Sequence, residues 1–91
     1  PLSGVYVVEV LLEGKRLPGV ANVGVRPTVG DLIKPVLEVH LLDFDQLIYG
    51  QRIHVEFKKK IREEQTFGSL DAMVTKIHSD IALARQYFAA V

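Results

Sequence analysis

Apolar residues run almost unbroken from Val5 to Leu12 (VYVVEVLL), with Glu9 the one charge, and this β-branched stretch predicts a strand. Glu13-Gly14-Lys15 supplies a turn, in which Gly14 can take a positive φ at no steric cost. Leu17 to Gly24 (LPGVANVG) predicts a second strand, hairpinned with the first. Pro18 and Gly19 inside it point to an edge position or a bulge. From Val25 to Pro35 (VRPTVGDLIKP) the pattern stops, and two prolines, a glycine and mixed charges predict an eleven-residue loop. Loops of that length are often functional or mobile. Strand character returns from Val36 to Phe44 (VLEVHLLDF), followed by Asp45-Gln46 and then Leu47 to Gly50. Arg52 to Ile61 alternates, with Ile53, Val55 and Phe57 on one face and His54, Glu56 and Lys58 on the other.

The last third changes period. After a polar loop (REEQTFG), Ser69 is a helix N-cap and Asp71 falls in the first turn, where it complements the macrodipole. Leu70, Met73, Val74, Ile77, Ile81, Ala84 and Phe88 follow at helical spacing, with Lys76, Ser79, Asp80 and Arg85 assigned off that stripe. There is no internal repeat and no linker. The pattern predicts one α+β domain over residues 1–91: a small antiparallel barrel or strongly curved sheet with a long amphipathic helix against it.

Composition narrows the class. A chain of 91 residues has a single modest core, and 48% hydrophobic with 24% charged residues excludes wholesale disorder. No Cys is present, which excludes disulfides and thiolate zinc sites and permits a reducing compartment. Eleven basic residues balance eleven acidic ones, so the net field is weak and argues against a dedicated nucleic-acid or membrane-surface binder. No apolar run reaches the roughly 20 residues that span a bilayer. The chain begins at Pro1, without Met and without the pattern of a secretory signal, so a cytoplasmic piece of a longer protein is expected.

No Walker loop, GxGxxG, HExxH or nucleophile elbow occurs, and His40, His54 and His78 show no metal-ligand spacing. Glu38 shares a strand face with Val36, His40, Leu42 and Phe44. It is either a carboxylate at a pocket rim, suited to act as a base, or a solvent-facing residue beside His40. Arg26 and Thr28, flanking Pro27, could hold a phosphate by charge and by hydroxyl. Lys58-Lys59-Lys60 with Arg62 is the one basic run, a solvated strand end or an attractor of phosphates. Arg62, Glu63, Glu64 and Phe67 either line a planar ligand or pack the helix entry.

Taken in order, GVY (4–6), PGVANVGVRPT (18–28), LEVHLLDF (37–44), IYG (48–50) and IREEQTFGSLDAM (61–73) resemble the riboflavin kinase family, over about residues 3 to 88. In bacteria such domains form the C-terminal part of a bifunctional flavokinase and FAD synthetase. The resemblance implies a small closed antiparallel β-barrel with a C-terminal helix. It also implies transfer of the γ-phosphoryl group of ATP to the riboflavin 5′-hydroxyl, giving FMN and ADP with magnesium. Carried over by residue, Glu38 matches the catalytic base. Asn22, Arg26 and Thr28 match a flap near the phosphates, Tyr49 an aromatic beside the nucleotide, and Arg62, Glu64 and Phe67 a loop over the isoalloxazine ring.

The family's PTAN motif, whose Thr and Asn hold magnesium and ATP phosphates, is expected upstream of GVY. Thr28 in RPTVG is a different Pro-Thr and takes no metal role, so no metal ligand is assigned within residues 1–91. An adenylyltransferase domain is expected further upstream in the parent chain. On this reading residues 1–91 alone have very low kinase activity, and an opened barrel could dimerise through exposed strand edges. No nucleic-acid or membrane partner is expected. The competing reading is a non-enzymatic small-barrel module that binds nucleic acid or protein, with Lys58, Lys59, Lys60 and Arg62 as its basic surface.

Overall fold

In the computed structural model, residues 3–27, 30, 33–43 and 53–90 are described. The near-continuous apolar run becomes β1 (Gly4–Leu12), a strand buried on both faces, which is why its pattern barely alternates. Tyr6, Val8 and Val10 point to one side, where Ala21 and the half-buried Val23, Val39, Leu41 and Val55 complete a cluster. Val7 points to the other, against Leu42 and Ala84, with Val20, Ile61, Ile81, Tyr87 and Phe88 around them. Tyr6 also meets Phe57 edge to face at 5.2 Å.

A two-residue turn joins β1 to β2 (Lys15–Pro27), with Glu13 at φ 51 and Gly14 at φ 80. Positive φ at both central residues matches the twist of a tight hairpin, as the sequence implies. Strands β3 (Ile33–Leu41) and β4 (His54–Arg62) complete an antiparallel sheet of order β3-β2-β1-β4. Among the described residues this sheet is open rather than a closed barrel, because β3 and β4 each have one neighbour. The β4 edge carries Lys58, Lys59 and Lys60, charges that discourage strand addition.

Several local expectations change. The eleven-residue loop is mostly strand, since Val25 pairs with Pro35, Arg26 with Lys34 and Pro27 with Ile33. Pro35 is accommodated because β3 is an edge strand. β2 is neither an edge nor bulged at Pro18-Gly19. Its pairing with β3 ends at Gly19–Leu41, and the Pro18 carbonyl accepts the Leu42 N–H at 2.9 Å on the side where a Pro18 N–H would have pointed. At Gly19 a Cβ would stand 2.9 Å from the His40 carbonyl oxygen, so the close approach of β3 requires glycine. The third strand ends at Leu41 rather than Phe44, before Asp43 turns the chain at φ 55. Phe44, Leu47 to Gly50 and Arg52 lie outside the described residues.

The irregularity falls instead on β4. Val8 pairs with Phe57 but Val7 with Lys59, and Tyr6 pairs with Lys60 but Val5 with Arg62. Lys58 and Ile61 are therefore extra residues, and the simple alternation expected along this strand breaks after Phe57.

Helix α1 (Leu70–Ala90) starts as the sequence indicates: Ser69 Oγ accepts the Ala72 N–H at 3.1 Å, and Asp71 lies in the first turn. Only the C-terminal half of its apolar stripe packs on the sheet, through Ala84, Ile81 and Phe88. Leu70, Met73, Val74 and Ile77 remain exposed, Leu70 at 69%. Asp80, assigned off the stripe, is buried at 3% exposure. The spacing in fact placed it there, since Ile77, Asp80 and Ala84 are three and four residues apart on one face. Among the described residues no helix is long and apolar enough to cross a membrane.

Val8 has no solvent exposure, so Val8→Ala is expected to cost about 2 kcal/mol through lost burial and a residual void. Urea unfolding should show a lower midpoint with an unchanged slope. Ser69→Ala is expected to cost about 1 kcal/mol by removing the cap, read in the same assay.

Candidate functional site

Register places a transverse row of residues across all four strands: Arg62 of β4 beside Val5 of β1, Val5 beside Asn22 of β2, and Asn22 beside Glu38 of β3. Paired residues share a face of the sheet. The two bulges of β4 bring Arg62 into this row, because an unbroken register would set Lys60 opposite Val5. The row forms the floor of a cavity of about 480 Å³. Its far wall is α1 from Met73 to Ile81, through Met73, Ile77, Asp80 and Ile81, and its end is the segment with Glu64, Gln65 and Phe67.

Arg62 and Asp80 join the sheet to the helix. Arg62 Nε donates to both carboxylate oxygens, at 3.0 and 3.1 Å, and Nη2 donates to Oδ2 at 2.8 Å. A buried carboxylate is tolerated when a fork of donors replaces its water in this way. Arg62 Nη1 also donates to the Glu63 carbonyl at 3.1 Å, and the guanidinium carbon lies 5.7 Å from the Phe67 ring centre. One side chain thus orders the strand end, the loop and the helix. Of the residues for which ligand lining and helix-entry packing were set out as alternatives, Arg62, Glu64 and Phe67 line the cavity, with Phe67 beside Arg62.

Glu38 lines the cavity and is exposed, so it stands at a rim rather than in a buried pocket. Asn22 lines it too, and its Oδ1 is buried with no hydrogen-bond partner among the described residues. Five residues singled out in the sequence therefore meet here: Asn22, Glu38, Arg62, Glu64 and Phe67. Arg26 is located by its backbone, in β2 opposite Lys34. Thr28 and Tyr49 lie outside the described residues. Sequence reasoning missed Asp80, and also Met73 and Ile77 as cavity walls rather than core. Among the described residues no group of three or more His, Asp or Glu could hold a metal, and Asp80 is committed to Arg62.

Several charges elsewhere are paired at the surface. Glu9 and Glu56 face each other across β1 and β4, a like-charge pair offset by Arg16 at 2.8 and 3.2 Å and by Lys58 at 3.1 Å from Glu56. The Lys58 hydrogen bond, ahead of Arg16, holds the Glu56 carboxyl below the usual carboxylate range. Lys60 is bound to Glu63 at 2.6 Å. Two lysines of the basic run are thus engaged with carboxylates. Arg85 grips Asp43 through two hydrogen bonds, at 2.9 and 3.0 Å, and holds its carboxyl below the usual range.

Asp80→Ala would leave the Arg62 guanidinium largely desolvated without its partner, and is expected to cost about 3–5 kcal/mol. In denaturant unfolding the double replacement Arg62→Met with Asp80→Leu should recover much of that loss.

The chain matches the family model described as Flavokinase: Riboflavin kinase over residues 1–88. It is 55% identical over 85 residues to a bifunctional riboflavin kinase/FMN adenylyltransferase of Pseudomonas fluorescens, covering 93% of this chain and 27% of that protein. The protein of the same name from Escherichia coli K12 is 54% identical over 89 residues, covering 97% and 28%. An RNA-binding riboflavin kinase of Bacillus subtilis is 40% identical over 86 residues, covering 94% and 37%. A solved structure described as a macrolide-efflux protein from Streptococcus pneumoniae superposes with a TM-score of 0.85 at 33% identity, over 93% of this chain and 28% of that one. The chain spans little more than a quarter of the length of the bifunctional relatives. Motif order, sheet architecture and a match along nearly all of its length agree, and the chain belongs to the riboflavin kinase family.

Proposed function

We propose that the cavity binds riboflavin and that this domain transfers the γ-phosphoryl group of ATP to the ribityl 5′-hydroxyl, giving FMN and ADP. The observation that carries this reading is the transverse row, which sets a carboxylate at one end of the cavity and, as a wall at the other, the Arg62 guanidinium 5.7 Å from the Phe67 ring centre. An isoalloxazine ring lies against Phe67 and the plane of Arg62, with Met73 and Ile77 as apolar neighbours and Glu64 at the loop. Because Asp80 holds Arg62 in place, that wall is preorganised rather than assembled by the ligand.

The flavin's hydroxylated chain then runs along the floor toward Glu38. Glu38 orients the 5′-hydroxyl and receives its proton as the new O–P bond forms. The bond between the β-γ bridging oxygen and the γ-phosphorus breaks, and ADP leaves with that oxygen. The exposed position of Glu38 suits a base that must reach both a buried alcohol and an incoming nucleotide. Arg26, Thr28 and Tyr49 are proposed at the nucleotide end. Magnesium, bound with ATP, would neutralise phosphate charge; the described residues offer it no three-ligand cluster, and no step is assigned through it.

The domain is proposed to work in the cytoplasm beside an adenylyltransferase domain of the same chain, as the names of its bifunctional relatives indicate for them. A nucleic-acid-binding reading draws no support from the lysine run, with Lys58 and Lys60 engaged by Glu56 and Glu63.

The test is FMN formation from riboflavin and magnesium-ATP by the full chain, meaning the longer parent protein in which this domain is preceded by the expected upstream segment. Glu38→Gln should lower turnover by about 10²-fold or more while riboflavin affinity stays within a few fold. A full chain that makes no FMN, or a variant as fast as the parent, would overturn the assignment.

A further inference from the structure

The buried oxygen of Asn22 is a polar atom that the described residues leave unsatisfied. Its Oδ1 has no hydrogen-bond partner among the described residues, yet it belongs to the cavity floor. Buried polar atoms are nearly always paired, and an unpaired one raises the free energy of the empty protein until something donates to it. An amide oxygen can only accept. Its natural partner is therefore an O–H or N–H group, whereas a phosphate oxygen would set acceptor against acceptor. This chemistry separates the Asn22 Oδ1 from the phosphate-binding role that the family resemblance attaches to its segment, a role open only to the Nδ2 donor.

Position narrows the donor further. Asn22 is the register partner of Glu38 on one side and of Val5 on the other, and Val5 is the partner of Arg62. Along the row, Arg62 with the neighbouring Phe67 stands at one end, Glu38 at the other, and Asn22 between them, one strand spacing (about 4.8 Å) from Glu38. What lies between a ring held at the wall and a hydroxyl held at the base is the polyhydroxylated chain that connects them.

We infer that Asn22 is a specificity-determining residue whose Oδ1 accepts a hydrogen bond from a secondary hydroxyl of the ribityl chain, so that the floor distinguishes a flavin carrying that chain from a bare flavin ring. The inference rests on the riboflavin reading above. Asn22 and Glu38 together present two acceptors side by side to adjacent hydroxyls, an arrangement that holds the chain extended with its terminal hydroxyl at the base. A site built to receive such a hydroxyl rejects ligands lacking it strongly, because the buried acceptor is then left orphaned.

The experiment measures binding of riboflavin, of lumiflavin (the same ring with a methyl group in place of the ribityl chain) and of magnesium-ATP to the full chain and its Asn22→Leu variant. Thermal unfolding of both proteins is recorded without ligand. Expected are a loss of riboflavin affinity of about tenfold or more, lumiflavin and ATP affinities within about twofold of the parent, and a melting temperature equal to or above the parent's. A merely structural role for Asn22 would instead lower the melting temperature and weaken both flavins together, which would overturn the inference. So would a loss confined to ATP, which would return Asn22 to the phosphates.

Asn22→Asp keeps the acceptor, so it should retain riboflavin binding; loss of riboflavin by this variant would count against the hydroxyl assignment. Should Asn22→Leu fail to fold, Asn22→Ala, which also removes the acceptor, supplies the same comparison. A parent chain that binds neither flavin refutes the proposed function itself. One that binds both, with a preference for riboflavin untouched by Asn22→Leu, refutes only the role of Asn22.

Discussion

The ion pair between Arg62 and Asp80 is the constraint around which the rest of the site is arranged. It is the one place where a charged group is buried on the helix, and it is satisfied by a donor from the last residue of β4. The C-terminal half of α1 is fastened to the sheet by apolar packing at Ala84, Ile81 and Phe88, with Asp43 and Arg85 tying the end of β3 to the same half. The N-terminal half has no such packing. Its apolar residues stay exposed, and the pair at Asp80 sets where that half sits. A helix pinned in this way, packed at one end and held by a charge pair further along, leaves space between itself and the sheet. That space is the cavity. Replacing two ions by apolar residues can match such a pair in stability, so what it supplies here is geometry: one direction for the guanidinium, and with it one position for the loop that follows.

The bulges of β4 serve the same end. Each adds a residue to one side of a ladder and turns the following side chains to the opposite face. Two such additions, at Lys58 and Ile61, shift the register by two residues over a short distance, so that Arg62 reaches the row already holding Val5, Asn22 and Glu38. The face that floors the cavity is thus assembled by backbone irregularity acting on an ordinary antiparallel sheet. The opposite face remains a plain apolar cluster of Tyr6, Val8, Val10 and Ala21. Division of labour between the two faces explains why β1, shared by both, carries so few polar residues.

Much of this was written in local pattern. The unbroken apolar run of β1, the Glu13-Gly14 turn and the Ser69 cap are short-range signals, and each appears where the residues indicate. The resemblance to riboflavin kinases rests likewise on the order of residues along the chain, and it attaches roles to Glu38, Arg62, Glu64 and Phe67, which the local pattern already marks. Local pattern misled where a residue's meaning depended on a neighbouring strand. Two prolines and a glycine read as a loop over residues 25–35, yet an edge position makes a strand proline tolerable, and position within a sheet has no local signature. Pro18 was the converse: a central strand can hold it because its neighbour stops one residue short.

The sequence by itself determined the elements, their order, the family and most of the side chains that meet in the cavity, because periodicity, caps and tight turns act between residues close along the chain. Tertiary structure alone decided that the described strands form an open sheet, that register aligns Arg62, Val5, Asn22 and Glu38 in one row, and that Asp80 is buried against Arg62. It also decided that Asn22 keeps, in the floor of the cavity, an acceptor with no partner among the described residues. These are consequences of pairing between segments far apart in sequence. A single inserted residue in one strand changes which side chains share a face, and a charge on a helix becomes buried or solvated according to what the sheet places opposite it.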